Sequence, residues 1–338
     1  MNSQVKLGIS FAAVVLVSFG GVVHMTKFPE PGELALAPPD EASLSWETRN
    51  RIDDLAESVA YQAHEIGRRS SRFSPQQQFL VEFLEASLDE AGLEVELQEY
   101  EAKGTTFHNV VGTRKGTGAG TLFIGTHYDS YGKSPCGNAV ATGVSAVIES
   151  LSILKGRSLD RTIVVGLFGT GEKPHRGEAT MGAQVWLDRA TEDGLEIDEA
   201  LIVSSFGVFS GGVGLQKSSF PWYLMYPDTA DWVAFYAPFS AKEDATAALR
   251  RWDAVTDLPA RGFAAPQWML GMPTADQGPF LDAGIPTIVV SDTGSERDSV
   301  FRSKGDDAYH IDYRTMALRV EALADFVERW ANEPVRSR

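Results

Sequence analysis

Apolar residues recur along this chain with two periods, and the alternation between them outlines an architecture. Leu44 to Arg69 carries apolar positions at helical spacing and predicts a first helix. Ser74-Pro75, a cap followed by a first-turn residue, predicts a second helix that ends at Gly92. Leu93 to Tyr100 alternates as a strand, and Asn109-Val-Val-Gly112 continues the pattern after a loop. The apolar runs Thr121–Thr126 and Thr162–Phe168 read as short buried strands, each ending where polar residues cluster. Val140 to Leu154, between them, returns to helical spacing. Ala200–Ser205 and Pro286–Ser291 are two further buried-strand candidates, and Met316–Trp330 closes the chain as an amphipathic helix. Strands alternating with helices predict an α/β fold with a mixed, mostly parallel central sheet and helices on both faces. In such sheets, sites form just past the carboxyl ends of the strands.

The N-terminus breaks this pattern. Leu7 to Met25 runs nineteen positions without a formal charge, close to the length of a bilayer-spanning helix. Lys6 precedes the run, whereas Glu30, Glu33, Asp40 and Glu41 follow it together with Lys27. This asymmetry predicts a cytoplasmic N-terminus and an extracytoplasmic domain, periplasmic or extracellular. A cleaved signal peptide is the rival. The one Ala-x-Ala within the first hundred residues, Ala35–Ala37, lies well past the run and is followed by Pro38, which favours an uncleaved anchor. Residues 28–43, with four prolines, read as an extended linker. The expected organisation is an anchor or signal over 1–27, a linker over 28–43 and one α/β domain over 44–338.

Composition removes several function classes. Thirty Lys and Arg against forty-six Asp and Glu give a net charge of −16, so a basic groove for nucleic acid is not expected. A single cysteine, Cys136, excludes an intramolecular disulfide and a Cys-rich zinc site. Two glycine-rich stretches also lose their first appeal. Gly116-Thr-Gly-Ala-Gly120 precedes a strand instead of joining strand to helix, and Gly169-Thr-Gly-Glu-Lys173 lacks the phosphate-loop spacing.

Three segments then carry chemistry: NVVGTRKGTGAGTLFIGTHYDS from Asn109, ATGVSAVIE up to Glu149, and RTIVVGLFGTGEK up to Lys173. Together they resemble the zinc aminopeptidases and their glutaminyl-cyclase relatives, from about residue 50 to residue 330. Pro227–Phe235 and Phe280–Pro286 extend the likeness. The resemblance implies that family's α/β fold, and a site where five ligands hold two zinc ions that activate water and polarise a carbonyl. Matched residue by residue, His127 keeps the first ligand and Asp129 the carboxylate two positions on. The bridging aspartate falls on Ala139, four residues before Gly143. Glu172 matches the general base, and Lys173 replaces the ligand beside it. A later acidic ligand falls on Ser204, and the last histidine on Arg302. Asp276, in Ala275-Asp-Gln277, keeps its place. Four of five ligands are replaced, so no metal and no other cofactor is expected. A shifted match would bring in Asp306, Asp307 or His310, and a rebuilt metal site could use His127, Glu172 and His175.

The expected catalytic set is Glu172, His127, Asp129, Lys173 and Asp276. Glu172 is a base, Asp129 orients His127, and Lys173 with Arg302 replaces the charge of the zincs. Arg302, Ser204, Gln277 and Tyr223 are expected to bind a small or peptide-like substrate bearing a carboxylate. Tyr223 belongs to a cluster with Trp222, Tyr226, Trp232, Phe235 and Tyr236 that forms either a pocket wall or core. Cys136 beside His127 is a candidate nucleophile, or an inert loop thiol. A metal-independent enzyme, performing ring closure, rearrangement or acyl and amine chemistry, is the leading expectation. The alternatives are a catalytically inactive homologue that binds a peptide or partner, and an aminopeptidase with a rebuilt metal site.

Overall fold

The computed structural model describes residues 43–218 and 222–335. Helix α1 (Trp46–Ala60) starts where the Ser45 hydroxyl accepts the Thr48 amide. It continues as one wide turn (Tyr61–Ile66) and stops at left-handed Gly67, short of the predicted Arg69. Helix α2 (Ser74–Glu90) has Pro75 in its first turn. It closes at Gly92, whose φ of +86° lets the Leu93 amide reach back to the Leu88 carbonyl. Strands β1 (Glu94–Ala102) and β2 (Thr105–Arg114) form a hairpin. Then come β3 (Thr121–His127), α3 (Thr142–Leu154), β4 (Thr162–Phe168), α4 (Gly182–Glu192) and β5 (Glu199–Val203). After them follow β6 (Val233–Pro238), α5 (Lys242–Asp253), β7 (Ala260–Ala265), α6 (Gln277–Asp282), β8 (Thr287–Ser291) and α7 (Tyr313–Ala331).

The strands make one eight-stranded sheet in the order β1-β2-β4-β3-β5-β8-β6-β7. The central run β4-β3-β5-β8 is parallel, as is β6-β7, while β1-β2, β2-β4 and β6-β8 are antiparallel. The sheet is therefore mixed and its core parallel, as the sequence predicts.

Strand periodicity builds two cores. Leu122, Ile124, Ile163, Val165, Leu201, Val203, Ile288 and Val290 pack on one face with residues of α1, α2, α3 and α7. Their neighbours Phe123, Val164, Phe168, Ile202 and Val289 pack on the other face with Trp186 of α4 and Phe280 of α6. Burying both faces explains why these strands are continuous apolar runs. The turn Gly137–Ala141 and α3 together, Gly137–Leu154, are long and apolar enough to cross a membrane, but they are mostly buried inside the fold. The candidate anchor at 7–25 lies outside the described residues, as does the linker up to residue 42.

Strands β6 and β7 and helices α4, α5 and α6 are not among the predicted elements. β6 and β7 (VAFYAP and ARGFAA) are rich in alanine, which carries little strand propensity. Their pairing comes from burial between α5 and the aromatic cluster of Trp222, Trp232 and Phe263.

Candidate functional site

The carboxyl ends of β3, β4, β5 and β8 point to one edge of the sheet, and the candidate residues follow from there. His127 is the last residue of β3. Asp129, buried two residues on, accepts the Gly171 amide at 2.7 Å and the Glu172 amide at 3.1 Å, and its Oδ1 lies 3.2 Å from His127 Nδ1. One carboxylate thus fixes the loop after β4 and orients the imidazole, leaving Nε2 for whatever enters the cleft. Two glycines make this approach possible. A Cβ on Gly171 would sit 2.4 Å from the His127 Cβ, and one on Gly143 would sit 2.3 Å from the Ser204 carbonyl oxygen.

Glu172 is 1% exposed, and its two oxygens meet two arginines. Arg302 Nη2 donates to Oε1, and Arg176 Nη1 lies 3.8 Å from Oε2. Arg302 has a left-handed backbone (φ +57°) held by its own amide donating to Asp306 Oδ2 at 2.7 Å. The other oxygen of Asp306 accepts the Asn138 and Ala139 amides, which pins the Arg302 loop to the turn before α3. The Arg302 guanidinium lies over the rings of Tyr131 and Phe301.

Beside these groups is a cavity of about 100 Å³ lined by His127, Ala139, Ser204, Asp276, Gln277 and Arg302. Arg176 and Tyr236 complete its wall. Asp276 Oδ1 and Arg302 Nε are both buried without a protein partner. A second cavity of about 330 Å³, lined by Trp222, Phe263 and Met269, shares Ser204, Tyr236, Leu270 and Phe301 with the first. A larger groove of about 890 Å³ between α1, α2 and α3 contains none of these residues.

Charges in the cell are set by burial and by one another. Burial pushes the His127 imidazole towards neutrality, but Asp276, Asp129 and Glu172 outweigh it and lift its pKa to about 9. Burial raises the Glu172 carboxyl, against His127 and Arg302. It raises Asp276 as well, against His127 and Arg176. With His127 protonated at neutral pH, three cations (His127, Arg176, Arg302) face three carboxyl groups (Asp129, Glu172, Asp276).

Several expectations change. Lys173 is exposed and lines neither cavity. Arg176, one turn after Glu172, is the second cation instead, and its amide donates to the Glu172 carbonyl at 3.2 Å. The Glu172-x-x-x-Arg176 spacing was the available signal. Tyr223 is exposed outside both cavities, while its neighbour Trp222 lines the outer one. Trp232 and Phe235 are core, and Tyr236 faces both cavities. Cys136 is fully buried and burial lifts its thiol to about 11, so it makes no thiolate nucleophile at neutral pH. The remaining candidates Glu172, His127, Asp129, Asp276, Ser204, Gln277 and Arg302 converge on one place.

The residues do not fit the two-zinc site that the resemblance implies. Ala139 offers a methyl group, Ser204 a hydroxyl, and Arg302 a cation, which leaves His127 as the one retained ligand beside its Asp129 support. His175 does not join it. Its Nδ1 is 2.9 Å from the Thr180 hydroxyl and its ring meets Phe107 edge-on. Among the described residues, one cluster brings three ligand atoms together: Asp298, Asp306 and His310. Its carboxylates already accept from Asn138, Ala139, Val300, Arg302 and His310, so the cluster is a latch for the Arg302 loop.

Residues 109–201, which hold the motifs at the ends of β3 and β4, match the model of Peptidase family M28. Over its length the chain is similar to YfbL of Escherichia coli K12, described as an uncharacterised protein. The two are 23% identical over 330 residues, covering 93% of this chain and 97% of YfbL. Among solved structures it resembles BSAP, a zinc aminopeptidase from Bacillus subtilis, with a TM-score of 0.66 and 11% identity over 83% of this chain and 95% of that one. The LapA aminopeptidase of Legionella pneumophila gives 0.65 and 12%, covering 89% and 78%. The Bacteroides thetaiotaomicron glutaminyl cyclase bound to N-acetylhistamine gives 0.61 and 16%, covering 84% and 98%.

Proposed function

We propose that this M28-like chain works without a metal, binding a small peptide-like or amino-acid-derived molecule that carries a carboxylate and performing acid–base chemistry on it. The observation that carries this reading is the ion pair of Arg302 with Glu172. A guanidinium stands where the resemblance puts a metal-ligating histidine, and it rests on the residue that matches the family's base. A substrate carboxylate competes with Glu172 for Arg302, because the planar fork of arginine suits either partner. Once Arg302 moves to the substrate, Glu172 is free to accept a proton. Protonated His127, held by Asp129, is the donor or the stabiliser of a developing oxyanion. A donor in the wall of the cell, His127, and an acceptor behind Arg302, Glu172, suit ring closure or rearrangement better than amide hydrolysis, which needs a strongly activated water.

One observation favours a second reading, a binding protein without turnover: both Glu172 oxygens already face guanidinium groups. We extend the proposal to location, with the uncharged Leu7–Met25 run tethering the domain outside the cytoplasm. Elemental analysis and calorimetry on the full-length protein test the site. The expected result is far less than one zinc per chain, and small carboxylates that lose about tenfold or more in affinity on Arg302→Ala, as for one charge-assisted hydrogen bond. One tightly held zinc per chain, or unchanged binding by the variant, overturns the proposal. Chelator-resistant turnover of a bound ligand separates the enzyme from the binding protein.

A further inference from the structure

The cleft has two cells with different chemistry and common walls. The inner one, about 100 Å³, is polar and charged; the outer one, about 330 Å³, has an apolar side of Trp222, Phe263, Met269 and Leu270 and a polar side of Ser291, Thr293, Ser295 and Glu296. Ser204, Tyr236, Leu270 and Phe301 belong to both. Inside the inner cell are one buried acceptor and one buried donor without protein partners, Asp276 Oδ1 and Arg302 Nε. Asp276 is 5% exposed. Leaving such groups unpaired costs about 1–3 kcal/mol each, and the cost is recovered only by a ligand that supplies the complementary groups.

We infer that the cleft takes a free α-amino acid with a large apolar side chain, its ammonium on Asp276, its carboxylate on Arg302 and its side chain in the outer cell. The inference rests on the reading that this cleft binds carboxylate-bearing small molecules, and it adds the amine and the side chain. Charge supports the zwitterion. Three cations already face three carboxyl groups, so a ligand with no net charge adds none to a buried cell, whereas a lone anion or cation does. Size agrees, since the inner cell of about 100 Å³ admits a head as small as an ammonium, a carbon and a carboxylate. The outer cell supplies the affinity that such a small polar head lacks. An aromatic side chain buries about 150–250 Å² and pairs well with facing rings.

Calorimetry on the full-length protein with four probes tests this. L-Phenylalanine carries all three features, L-phenylalaninamide lacks the carboxylate, 3-phenylpropionate lacks the amine, and glycine lacks the side chain. L-Phenylalanine is expected to bind at least about tenfold more tightly than each of the other three, one unmade charge-assisted contact or one unburied ring apart. Asp276→Asn is expected to weaken L-phenylalanine by a similar factor and to leave 3-phenylpropionate unchanged. If 3-phenylpropionate binds the parent protein as tightly as L-phenylalanine, the amine assignment is wrong, while the carboxylate reading stands. Equal binding of glycine removes the outer cell from recognition. If none of the four binds, the inference and the carboxylate reading both fall. The probe comparison uses the parent protein alone and so does not depend on the variant's folding.

Discussion

Replacing Glu172 with glutamine sets two electrostatic arguments against each other. Breaking a buried ion pair by removing one partner costs about 3–5 kcal/mol when the other charge is left buried. Here the partners have an exit: the side chains of Arg302 and Arg176 are 31% and 23% exposed. Water can take over their solvation, which moves the loss towards the roughly 0–1 kcal/mol of exposed pairs. The opposing effect is the burial of Glu172 itself. Its carboxyl is raised from 4.5 because burial outweighs His127, Arg302 and Arg176. A raised carboxyl means that the fold holds this proton more tightly than the unfolded chain does. The resulting stability is present below about pH 4.5 and is lost as pH rises through the folded pKa, each tenfold gain in proton affinity being worth about 1.4 kcal/mol. At pH 7 the ionised carboxylate is therefore a net cost, and the neutral amide has the shape of the protonated acid. Glu172→Gln should change stability at pH 7 by no more than about 1 kcal/mol in either direction. Urea denaturation of parent and variant, followed by circular dichroism at pH 7 and again at pH 5, measures it. The parent should gain on the variant as the pH falls. A variant that loses more than about 3 kcal/mol at pH 7 would show that the arginines outweigh burial and that Glu172 is held as a permanent anion. Turnover, in contrast to stability, should fall by about a hundredfold or more if Glu172 is the base.

Two further outcomes follow from buried groups. His127 is raised from 6.5 to about 9, so its contribution is complete below about pH 6.5 and is lost as pH rises through 9. The parent should lose up to about 3 kcal/mol across that window, and His127→Gln should flatten the profile in pH-dependent urea melts; an unchanged slope refutes the assignment. Arg69 is fully buried and donates to the carbonyls of Gln62, Gly67, Tyr128, Pro135 and Cys136, joining the end of the first helix to the loop beside the site. Arg69→Ala should cost at least about 3 kcal/mol by the same denaturation assay, because three buried and two part-buried acceptors lose their donor.

How much of the site was legible depended on what held each residue. His127 ends β3 and Asp129 and Glu172 lie just past β3 and β4, within motifs whose spacing is local, so a linear reading finds them. Ala139 and Gly143 are found for the same reason: the turn before α3 is continuous with them. Lys173 misled because adjacent residues in a loop point in different directions. Glu172 turns inward to its arginines, while Lys173 turns to water. Arg302 lies 130 residues beyond Glu172 in sequence, and only the Asp306 latch to the Asn138 and Ala139 amides brings it across.

Sequence alone determined the parallel core of the sheet, because strands buried on both faces must be apolar throughout and leave a visible run. It also placed alanine, lysine, serine and arginine at the positions where the resemblance implies zinc ligands, a mismatch visible from residue types alone. The tertiary structure alone decided where β6 and β7 add to the sheet, because alanine-rich strands carry no pattern until aromatic rings and α5 cover them. It likewise decided the balance of charge in the cleft. Whether a lysine or an arginine faces a carboxylate, and whether that carboxyl is raised or lowered, depends on burial and on distances between residues remote in the chain.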